Sequence, residues 1–449
     1  MKIDRKIEKE LLKWKNRDTS KPLILRGARQ VGKTFIVEEF SKNFSHFVSL
    51  NLERPKEREL FLHFNSGVEL FERILLYKGL KVNIKETLLF IDEIQNSGDA
   101  IRSLRYLFED VDGLKVLAAG SLLEVFSKRE GFSFPVGRVN NLFMYPINFR
   151  EYLECKNPPL AQRLGNLSID RRHDVHQILL DHFYEYTFVG GMPEALSGYL
   201  NSGSYSEIRE VYDAIFVGYV EDVEKYSSLA KSKYLSHVID RAPLYLGTRI
   251  SYEKFGDSSY KSREMSEAFD TLEKALILYR ARPSNSTRIP ILEKMRKAPK
   301  LFFLDCGLAN FRIGFREFFS RRQALNEIYR GQISEQVVAQ EIISQGHHAS
   351  KLYFWMKDKS EAEVDFLYPF KDRAIPIEVK SGALGKLKSL LLFMERCDHP
   401  YAVRVYSGEN RIDPIVLPSG KKFFLFSMPF YFLAHLDECL TQFISRYKI

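Results

Sequence analysis

The chain is predicted to be α/β, with a parallel sheet near its N-terminal end, a largely helical middle and a second, smaller α/β domain at its C-terminal end. Three observations predict this. Short apolar runs such as Leu23–Leu25 and Leu88–Ile91 have the continuous hydrophobicity of parallel strands buried on both faces. The first run leads into Gly27-Ala-Arg-Gln-Val-Gly32-Lys33-Thr34, a glycine-framed turn followed by a helical pattern. Far downstream, AEVDFLYPFKDRAIPIEVKSG (residues 362–382) alternates oily and polar residues about a polar turn, as a β-hairpin does.

The first element carries the clearest chemistry. G-x-x-x-x-G-K-[ST] is a phosphate-binding loop, in which backbone N–H groups and a helix N-terminus face the phosphates. Gly27, Ala28, Arg29, Gln30, Val31, Gly32, Lys33, Thr34 and Phe35 form the nucleotide-binding stretch. Lys33 is expected to reach the β- and γ-phosphates and Thr34 to place its hydroxyl on Mg²⁺, so ATP and Mg²⁺ are the expected cofactors. The next strand, TLLFIDEIQN, ends in Asp92-Glu93. Asp92 suits the metal shell and Glu93 suits a base that orients water. A third strand, LKVLAAGS, ends at Ser121, which is either a polar sensor of the γ-phosphate or the N-cap of SLLEVF. In FSFPVGRVNNLFMYPINFREYL, Arg138 is either an arginine finger, acting on its own or a neighbouring copy's nucleotide, or a structural ion-pair residue.

The middle reads as helices with polar joints, including a Gly190-Gly191 turn before a helix begun by Pro193. REMSEAFDTLEKALIL places Met265, Phe269, Leu272 and Leu276 on one stripe, and the strand-like LILYRAR, the turn PSNST and KAPKLFFLDCGL follow. Between Lys254 and Lys300 there are eleven Lys/Arg against six Asp/Glu, an excess that suits either a nucleic-acid surface or an ordinary packing unit.

The terminal hairpin poses a question of charge. A turn between Lys371 and Asp372 sets Phe366 opposite Ile377 and Tyr368 opposite Ile375, with Val364 opposite Val379. The other face then carries Glu363, Asp365 and Leu367 against Pro376, Glu378 and Lys380. Asp365 opposite Glu378 repels unless a cation, a proton or solvent intervenes. One reading is a solvated face with Lys380 paired to Glu363; the other is a divalent-metal site. Glu335, on a helical face with Val338, Ala339 and Ile342, is a third acid.

Composition sets the remaining limits. The 449 residues allow about three domains. A net charge of +9 permits nucleic acid without requiring it. The four cysteines, Cys155, Cys306, Cys397 and Cys439, form no C-x-x-C, which points away from zinc and disulfides and towards a reducing, cytoplasmic setting. The N-terminus is charged throughout, and no apolar stretch is long enough for a membrane span. FFLFSMPFYFLAHL is expected to be a core strand followed by a helix.

GARQVGKT, LLFIDEIQ, AAGS, PVGR, PINFREYL and VGGMPEAL, in this order, resemble the AAA-type, archaeal-ATPase-like P-loop family. That resemblance implies an ATPase core over 1–150, a helical lid over 151–235, a winged-helix-like domain over 236–300 and, over 301–449, a domain of unknown function resembling PD-(D/E)XK nucleases. It implies an ATP hydrolase. By the nuclease pattern, Asp365 and Glu378 bind Mg²⁺, Glu335 assists and Lys380 steadies water or phosphate charge. The pattern's Pro before Asp is Val364 here, and Pro376 interrupts the second strand. The implied partner is nucleic acid, DNA before RNA, and a trans-acting Arg138 implies a homo-oligomer. The alternative is an ATP-driven regulatory switch whose C-terminal domain binds a partner without cutting it.

Overall fold

The computed structural model describes residues 3–19, 21–121, 137–170, 173–226, 229–314, 331–346, 351–380 and 387–448. The N-terminal sheet comprises β1 (Leu23–Arg26), β2 (His46–Asn51), β3 (Thr87–Asp92), β4 (Lys115–Gly120) and β5 (Asn140–Phe143). Its order is β2-β3-β4-β1-β5, and every pairing is parallel. All six residues of β3 are buried, as its uninterrupted apolar run requires. Helices α1 (Ile7–Lys15), α2 (Lys33–Ser41), α3 (Pro55–Glu59), α4 (Gly67–Lys78) and α5 (Gly98–Asp110) accompany the sheet. Insertion of β4 between β1 and β3 brings the C-terminal ends of these three strands side by side, where α/β sheets present their ligand sites.

The middle is helical: α6 (Phe149–Lys156), α7 (Pro158–Gly165), α8 (His176–Val189), α9 (Pro193–Ser202), α10 (Tyr205–Tyr226), α11 (Leu229–Arg241) and α12 (Ser262–Lys274). Met265, Phe269 and Leu272 of α12 are buried as their spacing predicts. Leu276 lies beyond the helix with φ 61°. The hairpin of β6 (Leu278–Ser284) and β7 (Lys300–Phe303) is not a free-standing wing. β6 also pairs in parallel with β8 (Tyr353–Met356), which pairs with β9 (Glu363–Val364). The expected divisions after residues 150, 235 and 300 therefore fall inside α6, α11 and β7.

After α13 (Cys306–Ile313) comes α14 (Gln332–Ile343), then β10 (Phe366–Phe370), β11 (Arg373–Val379), α15 (Lys388–Arg396), β12 (Tyr401–Tyr406), β13 (Arg411–Val416), β14 (Lys422–Pro429) and α16 (Leu436–Arg446). The C-terminal sheet has the order β10-β11-β12-β14-β13, with β11, β12 and β14 parallel. The hairpin register is the expected one from Phe366–Ile377 to Phe370–Arg373. It ends there, because Glu363 and Val364 leave to pair with β8. Asp365 therefore sits at the kink between two sheets and forms no ladder pair with Glu378. FFLFSMPFYFLAHL supplies most of β14, a short 3₁₀ segment and the start of α16. Among the described residues no helix is long and apolar enough to cross a membrane.

Helix α14 is buried all round, not on one stripe as expected, and it is polar. The Gln336 side chain brackets β7 by accepting from Phe303 N at 2.8 Å and donating to Phe303 O at 2.9 Å. Gln340 accepts from Cys306 N at 2.7 Å and donates to Tyr186 Oη of α8 at 3.0 Å. Glu341 accepts from Phe149 N at 2.9 Å and from Tyr186 Oη at 3.0 Å. The Gly190-Gly191 turn docks at the same junction, with Gly191 N donating to Asp305 Oδ2 at 2.6 Å and Gly191 O accepting from Ile147 N at 2.8 Å. A Cβ at Gly191 would lie 2.0 Å from Ile147 O, a backbone atom. Gly191→Ala is accordingly expected to cost about 3 kcal/mol and to lower the melting temperature. Gly198→Ala in α9, where an added Cβ meets nothing nearer than Glu207 Oε2 at 3.8 Å, is expected to be neutral or stabilising. Equal melting temperatures for the two variants would refute the tight junction.

Candidate functional site

The strand order assembles the first site from distant segments. The loop leaving β1 turns through Gln30 at φ 65° and Gly32 at φ 93°, and α2 begins at Lys33. A left-handed residue next to the helix start is where glycine costs least. The loop is held from outside: Arg5 donates to Val31 O at 3.2 Å and to Tyr145 O at 2.6 Å, and Tyr219 Oη donates to Arg29 O at 3.3 Å. Arg29 itself is ion-paired with Asp222 of α10. Lys33 Nζ donates to Gly27 O at 3.0 Å and Ala28 O at 2.8 Å, folded back onto its own loop.

Thr34 Oγ1 donates to Asp92 Oδ2 at 2.8 Å, so the hydroxyl and the carboxylate expected to share Mg²⁺ already converge. Hard oxygen donors beside a phosphate-binding loop fit Mg²⁺ bound with a nucleotide. Burial raises the Asp92 carboxyl, opposed by the Thr34 hydrogen bond. Burial and then the Asp92 charge raise Glu93. Burial lowers the Lys33 ammonium to about 8, against the pull of Glu93 and Asp92. A nucleotide and its cation would relieve all three. Glu93 lies in the left-handed region at φ 52°, and Gln95 Nε2 donates to its Oε2. Ser121 is buried and follows β4, between the phosphate loop and Asp92. SLLEVF beyond Ser121 lies outside the described residues, and so does the stretch of PVGR before Gly137.

Arg138 stands at the far end of the sheet. It precedes β5, whose Asn140 pairs with Leu23 at the start of β1, whereas the phosphate loop leaves the end of β1. Its Nε is 3.1 Å from Glu109 Oε1 at the end of α5. Arg138 thus makes the ion pair and sits beside the start of β1, away from the phosphate loop at its end. Phe35 is exposed on the first turn of α2.

The second site gathers the C-terminal acids with a residue whose role there sequence reasoning missed. Lys300 of β7 is buried, and its Nζ lies 2.8 Å from Glu335 Oε2, 2.6 Å from Glu363 Oε1 and 3.3 Å from Asp365 Oδ1. Asp365 Oδ2 accepts from Val379 N at 2.8 Å, and Lys380 Nζ is 2.6 Å from Glu378 Oε1. Glu363 takes a two-pronged contact from Arg249, at 2.7 Å from Nε and 2.5 Å from Nη2. The expected Lys380–Glu363 pair and solvated face are thus both overturned, since Glu378 is buried and the kink at Asp365 carries Glu363 away. The signal available in the sequence was Lys300 alone, an isolated lysine before the apolar LFFL.

Asp365 and Glu378, the two expected metal ligands, both lie in this centre. Among the described residues no group of three or more His, Cys, Asp or Glu side chains is arranged to hold a metal ion. Four carboxylates, Glu335, Glu363, Asp365 and Glu378, face three cations, Arg249, Lys300 and Lys380. Burial and then Asp365 raise both Glu335 and Glu378, opposed by Lys300 at Glu335 and by Lys380 and Lys300 at Glu378. Burial alone would lower Lys300, but Glu335, Asp365 and Glu363 override it and hold the ammonium charged. The basic excess over 254–300 is likewise partly internal: Arg280 is buried against Glu273 and Asp270, and Lys300 lies in the acid centre.

Residues 19–153 match the family described as an AAA domain, residues 180–318 a domain of unknown function (DUF8612) and residues 330–421 a domain of unknown function (DUF4143). Residues 19–153, which hold the phosphate loop and the acids ending β3, thus match an AAA domain. Among solved structures, the Walker-type ATPase PABY2304 of Pyrococcus abyssi is similar at 16% identity, covering 70% of this chain and 96% of its own, with a TM-score of 0.44. The ORC2 protein of Aeropyrum pernix in its ADP form is similar at 14% identity, covering 62% and 87%, with a TM-score of 0.29. No curated protein matches the chain.

Lys300→Met removes the cation shared by three carboxylates and is expected to destabilise by about 3–5 kcal/mol. In that variant Mn²⁺ should raise the melting temperature more than in the native chain; equal shifts would show that the ammonium does not hold the cation position. A carboxyl raised by folding stays protonated while its unfolded counterpart ionises, so its contribution is lost as pH rises. Stability should therefore fall from about pH 4.5 towards pH 8, and Glu335→Gln should flatten that slope. An unchanged slope would remove Glu335 as its source.

Proposed function

We propose that the chain is an ATP-hydrolysing switch in which the nucleotide state is passed through α14 to the C-terminal sheet. One observation carries the hydrolytic part: Lys33, Thr34, Asp92, Glu93 and Ser121 meet at the ends of three neighbouring strands. The loop amides and Lys33 hold the phosphates. Thr34 and Asp92 hold Mg²⁺, which supplies charge neutralisation at the β- and γ-phosphates when bound. Glu93, freed from Gln95, orients the attacking water and accepts its proton, and its raised affinity for a proton suits that task. Ser121 donates towards the γ-phosphate side.

The switching part is supported by connectivity. Pro193 of the lid lies against the phosphate loop, with its Cγ 3.6 Å from a Cβ position at Gly32. Arg29 is tied to Asp222, and the Gly190-Gly191 turn is tied to Asp305, which Gln340 of α14 also contacts at 3.1 Å. The first turn of the same helix supplies Glu335 to the acid centre. A lid that moves with nucleotide thereby pulls on a helix rooted among buried charges. Nucleic acid is the partner this reading assigns to the C-terminal half, on the chain's positive charge.

A second reading, metal-dependent cleavage of nucleic acid, has one observation in its favour. Glu378 Oε2 is buried and has no hydrogen-bond partner, as a ligand atom awaiting a cation would be. It requires Lys300 to yield its place.

Lys33→Ala should abolish ATP turnover, and Glu93→Gln should keep nucleotide binding while slowing phosphate release by about 10²–10⁴-fold. Undiminished turnover in Lys33→Ala would refute the site. With Mg²⁺ or Mn²⁺, no cleavage of single- or double-stranded DNA or RNA is expected; cleavage that Glu378→Ala abolishes would replace the switch reading with the second one.

A further inference from the structure

The strand registers lay out a polar row that neither site uses. Glu378 of β11 pairs with Arg404 of β12, Arg404 with Ser427 of β14, and Ser427 with Arg411 of β13. Directly paired residues project from the same face, so this row crosses four strands from the acid centre to the sheet edge. Val403 and Val405, the neighbours of Arg404, belong to the main core, and Ala402 belongs to the cluster around α15. Arg404 therefore points away from the main core.

Arg404 is a buried cation without an acid. It is 6% exposed, and none of the described carboxylates is ion-paired with it. Nη2 donates to Ser427 Oγ at 2.8 Å, and the guanidinium lies 4.5 Å from the centre of the Tyr406 ring. Its Nε is buried with no partner at all. The side-chain acid of Glu378, one strand away, is taken by Lys380. Arg411, exposed at the edge, adds a second guanidinium, and its Asp413 partner at 3.0 Å is itself open to solvent. Burial acts most strongly against the charged form of Arg404 and Arg411 adds to it, while Tyr406 and Asp413 act the other way. Among the described residues, buried Arg5 has Glu151, Arg280 has Glu273 and Asp270, and Lys300 has three carboxylates, while Lys33, which donates to carbonyls instead, belongs to the phosphate loop. A buried guanidinium held charged without an anion is unfavourable unless an anion arrives from outside.

We infer that Arg404, with Ser427 and Arg411, forms a binding site for a phosphate group on the C-terminal sheet, about one strand spacing from the position of Glu378. The guanidinium fork matches two phosphate oxygens, and the Ser427 hydroxyl completes a charge-assisted set. The phosphate comes either as the free ion or as a phosphodiester of a nucleic acid strand, and both present the same oxygens. Tyr406 fixes the fork from one side, and the segment after it is anchored on the lid side, where Asn410 Nδ2 donates to Ile169 O at 2.9 Å. The site is independent of ATP hydrolysis and of cleavage by the acid centre.

The test fills the phosphate loop first with Mg·ADP, then titrates inorganic phosphate by calorimetry against chloride at equal ionic strength. Binding to the native chain is expected, and Arg404→Lys, which keeps the charge but loses the fork, should weaken it about tenfold. Arg411→Ala, at an exposed position that leaves folding intact, should weaken it several-fold. A short single-stranded oligothymidylate that displaces phosphate, and loses affinity in the same two variants, identifies the nucleic-acid backbone as the source; failure to displace identifies the free ion. Phosphate heats no larger than those of chloride, or affinities unchanged in both variants, overturn the proposal.

Discussion

Helix α14 is the constraint on which the architecture depends. A helix with Gln336, Gln340 and Glu341 buried depends on the partners these side chains find, because an unmade bond in the interior costs about 1–3 kcal/mol; Glu341 Oε2 and Ser334 Oγ find none. The partners come from everywhere at once: Phe303 from β7, Cys306 from α13, Tyr186 from α8 and Phe149 from α6. No pair of these elements can separate without stranding a group that a third one satisfies. The ATPase sheet, its lid and the C-terminal sheet are fastened to one rod. Burial pushes Glu341 up to about 7, offset by its bonds to Phe149 and Tyr186, so even the junction's acid is set by contacts from two modules.

The two clusters of acids show how similar residues reach opposite ends. Beside the phosphate loop, Asp92 and Glu93 share no buried carboxylate-bound lysine of their own; Lys33 donates to loop carbonyls, and both acids are left raised by burial. That charge imbalance favours a cation brought in with a nucleotide. In the C-terminal centre the imbalance has been closed from within, by an ammonium that reaches three carboxylates. An internal cation on a strand is permanent where a metal is exchangeable, and it links β7 to α14 and β9 by the same stroke. The centre thereby serves as a joint between sheets.

Sheet switching at Asp365 makes that joint possible. Glu363 and Val364 leave the hairpin to pair with β8, which is in turn paired with β6 of the preceding hairpin. A single kink therefore merges what would have been two separate domains. The row through Arg404 and Arg411 runs from Glu378 of that centre to the edge of the C-terminal sheet.

The sequence by itself determined whatever depends on residues close along the chain. The phosphate loop, the acids ending β3 and the hairpin register all follow from short patterns, because backbone periodicity and turn chemistry act over a few residues. Gly27 to Thr34, Asp92 and Glu93 were legible for that reason, and so was Phe366 opposite Ile377. Only the tertiary structure decided where long-range charges meet. Lys300 is 35 residues from Glu335 and 65 from Asp365, and no local pattern marks it as their counter-ion. Arg138 precedes a strand whose parallel register with β1, not its own neighbours, puts it at the wrong end of the sheet. Electrostatic partnership acts through space, and the strand order that sets those distances is a property of the packed sheets, not of any one segment.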